Sequence, residues 1–209
     1  MTSQFKPMTI NQNEYVRSIV ENDVTICTGP AGSGKTRCPV GLGCSWLANG
    51  TIQRIVITRP VVETSRKGLG FLPGSLIEKI HPYLVPILDE MHEYLHPYTV
   101  EDLIHREVID IVPLEYMRGR NFHNCFMILD EAQNATFDQL KMFLTRIGKN
   151  TKCVINGDIN QSDIKIGPNA LDICMRKLTD TEGVGLITLT HADILRSGII
   201  SRILDKLEN

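Results

Sequence analysis

The run Val24-Thr25-Ile26-Cys27-Thr28 is apolar and β-branched, and it leads without a break into Gly29-Pro30-Ala31-Gly32-Ser33-Gly34-Lys35-Thr36. A GxxxxGKT pattern behind a strand constrains this chain more than any other feature. It predicts a phosphate-binding loop that closes a buried strand and opens a helix. Glycines let backbone N–H groups close around an anion, and the helix that follows offers its positive N-terminus to the same phosphates. In that arrangement residues 29–36 cradle a nucleotide, Lys35 reaches its β- and γ-phosphates and Thr36 ligates Mg2+.

A nucleotide hydrolase also needs an acidic strand end to hold the metal and activate water. Phe126-Met127-Ile128-Leu129-Asp130-Glu131 is an apolar strand that ends in two carboxylates. Asp130 is placed to hold Mg2+ through water and Glu131 to polarise the attacking water. Acidic residues also favour a helix N-terminus after a buried strand, and the phosphate loop upstream decides for the metal reading. A third buried strand ends in polar groups at Gly157-Asp158-Ile159-Asn160-Gln161, where Asp158 and Gln161 are candidate sensors of the γ-phosphate. A Gly-Asp turn closing a strand gives the same pattern.

With 209 residues and 42% hydrophobic content the chain can bury one good core, so a single domain over 1–209 is expected. A net charge of −2 offers no bulk field for nucleic acid, and such binding would rest on local arginine clusters. Six cysteines, at 27, 38, 44, 125, 153 and 174, lie in apolar patterns without a CxxC pair and read as buried reduced thiols. No apolar stretch approaches a membrane span, and the N-terminus lacks a charged start before an apolar run, so a cytoplasmic protein is expected.

Short strands alternate with longer helical segments, the pattern of an α/β domain with a mainly parallel sheet flanked by helices. Strands are predicted at 24–28, 52–58, 108–112, 126–129, 153–156 and 186–189. Helices are predicted at 11–21, 35–48, 74–95, 99–105, 137–147, 167–177 and 193–207, with Asp138 and Asn169 near caps. The candidate catalytic groups fall at carboxyl ends of strands, where open α/β sheets place ligands.

These residues resemble the PhoH-like P-loop ATPases, which are similar to the first RecA-like domain of superfamily 1 helicases. The resemblance covers nearly the whole chain. Beyond Gly29–Thr36 and Asp130-Glu131-Ala132-Gln133-Asn134 it rests on Thr58-Arg59-Pro60, Leu69-Gly70-Phe71-Leu72-Pro73-Gly74, and Pro82-Tyr83 with Pro86 and Asp89. Arg118-Gly119-Arg120 with Phe122, and Gly157-Asp158 with Gln161, complete it. The resemblance implies a RecA-like ATPase with a helical insertion near 60–122, and helicase-like use of RNA or single-stranded nucleic acid. It also implies that Gln12 belongs to an adenine-reading motif and bonds the base edge; an exposed glutamine after a helix cap is the plainer reading. Asn121 stands where the family usually has Thr, and Asp193-Ile194-Leu195-Arg196-Ser197 where it often has DVVRH.

Phosphoryl transfer is catalysed largely by positioning and by positive charge aimed at the transition state. An arginine finger is often delivered across an interface, and Arg196 is the favoured candidate, ahead of Arg202, Arg118 and Arg120. Superfamily 1 helicases bind ATP between two RecA-like domains, whereas 209 residues hold one. A neighbouring copy in a homo-oligomer, such as a hexameric ring, is expected to supply the second wall. Arg59, Arg66, Lys67, Arg118 and Arg120 are candidates to meet nucleic-acid phosphates while Phe71 stacks on a base; an insertion packed on the sheet with ordinary surface charge fits the same segment. A nucleotide-driven switch or assembly factor, without movement on nucleic acid, is the alternative function. GTP is not excluded, although no NKxD-type guanine reader is present.

His92-Glu93-Tyr94-Leu95-His96 is a literal HExxH, which on a helix would place two imidazoles one turn apart for zinc. Pro97 stops such a helix at the second ligand, and no nearby third histidine follows. Zinc proteolysis is therefore rejected in favour of chance surface histidines.

Overall fold

The computed structural model describes residues 4–60, 85–161, 163 and 168–195. Six strands form one parallel sheet: β1 (Val24–Thr28), β2 (Ile55–Thr58), β3 (Ile109–Ile111), β4 (Phe126–Leu129), β5 (Lys152–Gly157) and β6 (Val184–Thr188), in the order β3-β2-β4-β5-β1-β6. The register pairs Val24 with Cys153 and Val184 across β1, and Ile55 with Ile109 and Phe126 across β2. Helices are α1 (Ile10–Glu21), α2 (Arg37–Ala48), α3 (85–92), α4 (Pro97–His105), α5 (Phe137–Leu144) and α6 (Ala170–Leu178).

A parallel sheet is covered on both faces, so its strands are mainly apolar and successive side chains enter opposite layers. Ile55, Ile57, Phe126, Ile128 and Val154 pack with Tyr15 and Ile19 of α1, Val40 of α2 and Met91 of α3. The alternate positions Val56, Met127, Leu129, Cys153 and Ile155 pack with Leu140 and Phe143 of α5 and Leu171 of α6. All six cysteines are buried and unpaired. Burial pushes the thiols of Cys38 and Cys44 up to about 12.

Several element ends differ from the expected ones for local reasons. Residues 35 and 36 form the turn of the phosphate loop, so α2 begins at Arg37. The cap of α5 is Thr136, in a reciprocal box with Gln139, while Asp138 sits in the first turn; Asn169 caps α6 as expected. The helix expected over 74–95 ends at 92, and Pro97 opens α4 with His96 as its cap. Its expected start, 74–84, lies outside the described residues. A helix over 193–207 is not seen where the chain is described: His191–Asp193 is a single 3-10 turn, and 196–209 lie outside. Among the described residues no helix is long and apolar enough to cross a membrane.

Candidate functional site

Three neighbouring strands, β4, β5 and β1, deliver their polar ends to one place. The phosphate loop after β1 is seated from below by hydrogen bonds to its carbonyls. The Lys35 carbonyl accepts from Asn156 Nδ2 at 3.0 Å and from the Tyr15 hydroxyl at 3.4 Å. Gln12 Nε2 donates to the Ser33 carbonyl at 2.9 Å, and the Ser33 hydroxyl donates to the Pro30 carbonyl at 2.8 Å. Burial drives the Tyr15 phenol well above its usual pKa, which keeps its proton for the loop. Two positions require glycine: a Cβ on Gly29 would lie 2.7 Å from the Leu189 carbonyl, and Gly34 sits at φ +94°, a backbone conformation that strains any other residue. The Lys35 ammonium donates to the loop's own Pro30 carbonyl at 2.8 Å.

Asp130 is 1% exposed at the end of β4. Its Oδ1 accepts from the Thr36 hydroxyl at 2.9 Å, which joins the phosphate loop to the acidic strand. Its Oδ2 accepts from Arg59 Nε at 2.8 Å and from a second nitrogen of the same guanidinium. The next residue, Glu131, adopts the left-handed conformation at φ 56°, ψ 38°, an uncommon state for a non-glycine residue, and it lies exposed at the site. Gln133 Nε2 donates to the Glu131 carboxylate, while Gln133 Oε1 accepts from the Asp158 backbone N–H at 3.0 Å. One buried amide thus ties Glu131 to the end of β5.

A cavity of about 340 Å3 opens here, lined by Gly32, Gly34, Lys35, Thr36, Glu131, Asp158 and Gln161. Of the expected groups from the three strand ends, Gly29, Pro30, Ser33 and Asp130 do not border it, and Asp130 is one hydrogen bond away through Thr36. Arg37, Glu90 and Gln133 also line it and were not singled out from sequence. Gln133 could have been found as the amide of the Asp130–Asn134 motif. Asn156 could have been found as a polar residue inside an apolar strand.

The expected Mg2+ fits the residues present. The Thr36 hydroxyl and the Asp130 carboxylate are hard oxygen donors that already meet. On the adjacent strand end the buried Thr58 hydroxyl has no hydrogen-bond partner among the described residues.

The other expected residues are placed as follows. Arg59, expected among the contacts to nucleic acid, is turned inward onto Asp130 with its side chain 14% exposed. Arg120 bonds Asp110 at 2.9 Å and lies over the Phe122 ring at 4.7 Å. Phe122 is fixed near the amino ends of β4 and β5, where its carbonyl accepts from Thr151 and Gly148, and the Arg120 side chain beside it is exposed. Arg118 is exposed beside a shallow groove that also carries Glu115 and Asp138. Gln12 is 2% exposed, and its Oε1 accepts from the Met8 N–H at 2.9 Å; both ends of the amide are used within the chain. Arg66, Lys67, Phe71, Arg196 and Arg202 lie outside the described residues. His92 ends α3 and His96 caps α4, with its ring stacked on Tyr98 at 5.4 Å, so the two imidazoles do not share a helix face.

The profile of the PhoH-like protein family matches residues 4–208. The chain belongs to the PhoH-like family. The PhoH-like protein of Synechocystis sp. is 43% identical over 201 residues, which span 96% of this chain and 61% of that protein. The PhoH-like protein of Bacillus subtilis is 42% identical over 198 residues, spanning 94% and 62%. The chain therefore spans about three-fifths of the length of these relatives. Among solved structures, the large terminase of a thermophilic bacteriophage aligns over 95% of this chain and 50% of its own with a TM-score of 0.59 at 12% identity. The same terminase in complex with ADP aligns with a TM-score of 0.57. At that identity the likeness concerns the fold, and the PhoH-like chain has the RecA-like P-loop NTPase architecture expected from its motifs.

Proposed function

We propose that this PhoH-like chain binds ATP with Mg2+ and hydrolyses it, and that hydrolysis is coupled to RNA or single-stranded nucleic acid. The observation that carries the ATPase reading is the convergence of Lys35, Thr36, Glu131, Asp158 and Gln161 on one cavity at the carboxyl ends of the sheet. The ADP complex of the bacteriophage terminase, which shares the fold, supports a nucleotide as the ligand.

The roles follow from placement. Backbone N–H groups of the loop and the N-terminus of α2 bind the phosphates, and Lys35 leaves the Pro30 carbonyl to reach them. Thr36 and Asp130 would hold Mg2+, which supplies charge neutralisation at the phosphate oxygens. Glu131 takes a proton from the attacking water as the water oxygen bonds the γ-phosphorus and the bond from that phosphorus to ADP breaks. Gln133 fixes the Glu131 carboxylate, and Asp158 and Gln161 face the γ-phosphate. Arg196 of a neighbouring copy in a ring supplies the finger.

One observation favours the alternative of an ATP-driven switch or assembly factor: Arg59 and Arg120, two of the arginines expected on nucleic acid, are engaged in internal ion pairs. Steady-state hydrolysis with and without single-stranded RNA or DNA at low salt decides, because phosphate contacts are strongest there. Stimulation supports the nucleic-acid reading; turnover indifferent to both moves the function to the switch.

A further inference from the structure

Asp130, the carboxylate placed to hold Mg2+, already carries a cation of its own. Arg59 donates twice to Oδ2, Thr36 donates to Oδ1, and the carboxylate is almost fully buried. The geometry of the sheet makes this seat specific. Thr58 pairs in register with Leu129, and the Asp130 N–H donates to the Thr58 carbonyl at 3.0 Å, so the residue after each strand faces the other. Lys35, a cation that lines the cavity, is turned to the Pro30 carbonyl.

The two bonds on Asp130 differ in what they allow. A hydroxyl that donates to Asp130 keeps its lone pairs for a metal, so the Thr36 contact is compatible with Mg2+. A guanidinium that donates twice to one carboxylate oxygen neutralises its charge and takes up its lone pairs, both of which a hydrated divalent cation needs.

We propose that Arg59 is an internal stand-in for the metal: it holds Asp130, and Mg2+ can use Asp130 only by displacing it. The inference rests on the nucleotide reading of the site and goes beyond it. Metal loading is then antagonised by a residue at the end of β2, and the site binds Mg2+ less tightly than its oxygens alone would.

The test is the Mg2+ dependence of binding of a fluorescent ADP analogue (mant-ADP) to the full chain, for the wild type, Arg59→Ala and Arg59→Lys. Removal of a charge-assisted pair of this kind corresponds to roughly a tenfold change in apparent Mg2+ affinity. Arg59→Ala is expected to reach half-maximal metal effect at roughly one-tenth of the wild-type Mg2+ concentration. Arg59→Lys, which keeps a charge without the fork, is expected between the two. Affinity for the analogue in EDTA, which depends on the loop and Lys35, stays within about twofold. A second readout is the rise in Tm on adding Mg2+ with ADP, which is expected to be larger in Arg59→Ala because the variant's free state leaves a buried carboxylate without its cation. Equal or weaker Mg2+ affinity in Arg59→Ala overturns the proposal and makes Arg59 a support for metal binding. Should Arg59→Ala fail to fold, Arg59→Gln carries the same test. Failure of the wild type to bind the analogue at any Mg2+ concentration removes the nucleotide reading itself, and the proposal with it.

Discussion

Charged groups at the carboxyl ends of β1, β4 and β5 are held differently from those near the amino ends of β2, β3 and β4. Near the amino ends, Arg54 and Arg120 both bond Asp110, and both lie over the Phe122 ring. Phe122 is in turn tied through its carbonyl to Thr151 and Gly148. Each cation has an anion and a ring, and the group is closed on itself. At the carboxyl ends, Lys35 rests on a loop carbonyl, Glu131 on an amide and Asp130 on an arginine, around an open space of about 340 Å3. The first network draws its partners from within the chain, although the buried Arg54 Nε has no hydrogen-bond partner among the described residues. The second is held by bonds that a phosphate, a water or a metal can replace, and the left-handed backbone at Glu131 adds local strain that the site retains.

The comparison is broken most severely at Lys35. Lys35→Ala is expected to lower kcat/KM for ATP by roughly 10²–10³-fold, with weaker nucleotide binding, because a charge aimed at the phosphates is lost. Its Tm is expected to stay near wild type, since the Pro30 carbonyl that the ammonium leaves behind can be satisfied by solvent. Retained binding would remove Lys35 from the site. Gln133→Ala is expected to lower kcat by about tenfold with little change in KM, as when a positioned base loses its orientation. A rise in KM alone would instead make Gln133 a binding residue.

The amino-end network should show the opposite balance. Asp110→Ala leaves two arginines without their shared anion and is expected to lower Tm by roughly 2–8 °C. Hydrolysis per folded molecule should be unchanged, and a selective loss of turnover would show that the two regions are coupled.

The smallest effect is expected from pH at a clasp beside the phosphate loop. Asp193 is 1% exposed; burial raises its carboxyl, but bonds from Asn11, the Thr190 N–H, Thr9 and Thr190 outweigh this and hold it below its ordinary value. A depressed folded-state pKa contributes stability that is present above the unfolded value of about 3.9 and lost as pH falls through the folded one. Asp193→Asn is therefore expected to be less stable than wild type at neutral pH, with the difference shrinking as pH falls below about 4. A pH-independent difference would assign the clasp to shape rather than charge.

The sheet was legible because buried parallel strands are largely apolar on both faces; β4 is an uninterrupted apolar run, and β1 and β5 are mainly apolar and β-branched. The phosphate loop and the Asp130-Glu131 pair were legible because the chemistry fixes both residue type and spacing. The pairing of Arg59 with Asp130 was not legible, because a lone arginine after a strand carries no signal of direction. Only the register of β2 against β4 turns it toward Asp130. The pairing of Arg120 with Asp110 was not legible either, since Asp110 is one residue inside a three-residue strand. The HExxH pattern failed as a site because Pro97 starts a new helix, a local stop that outweighs the spacing of the histidines.

The most direct test of the central claim is ATP hydrolysis by the wild type and by Glu131→Gln, with nucleotide binding measured on both. The variant is expected to keep ATP bound while turnover falls by roughly 10² or more, as when a positioned base is lost. Near-normal turnover in Glu131→Gln would contradict the assignment of the carboxyl-end cavity as the place where water is activated.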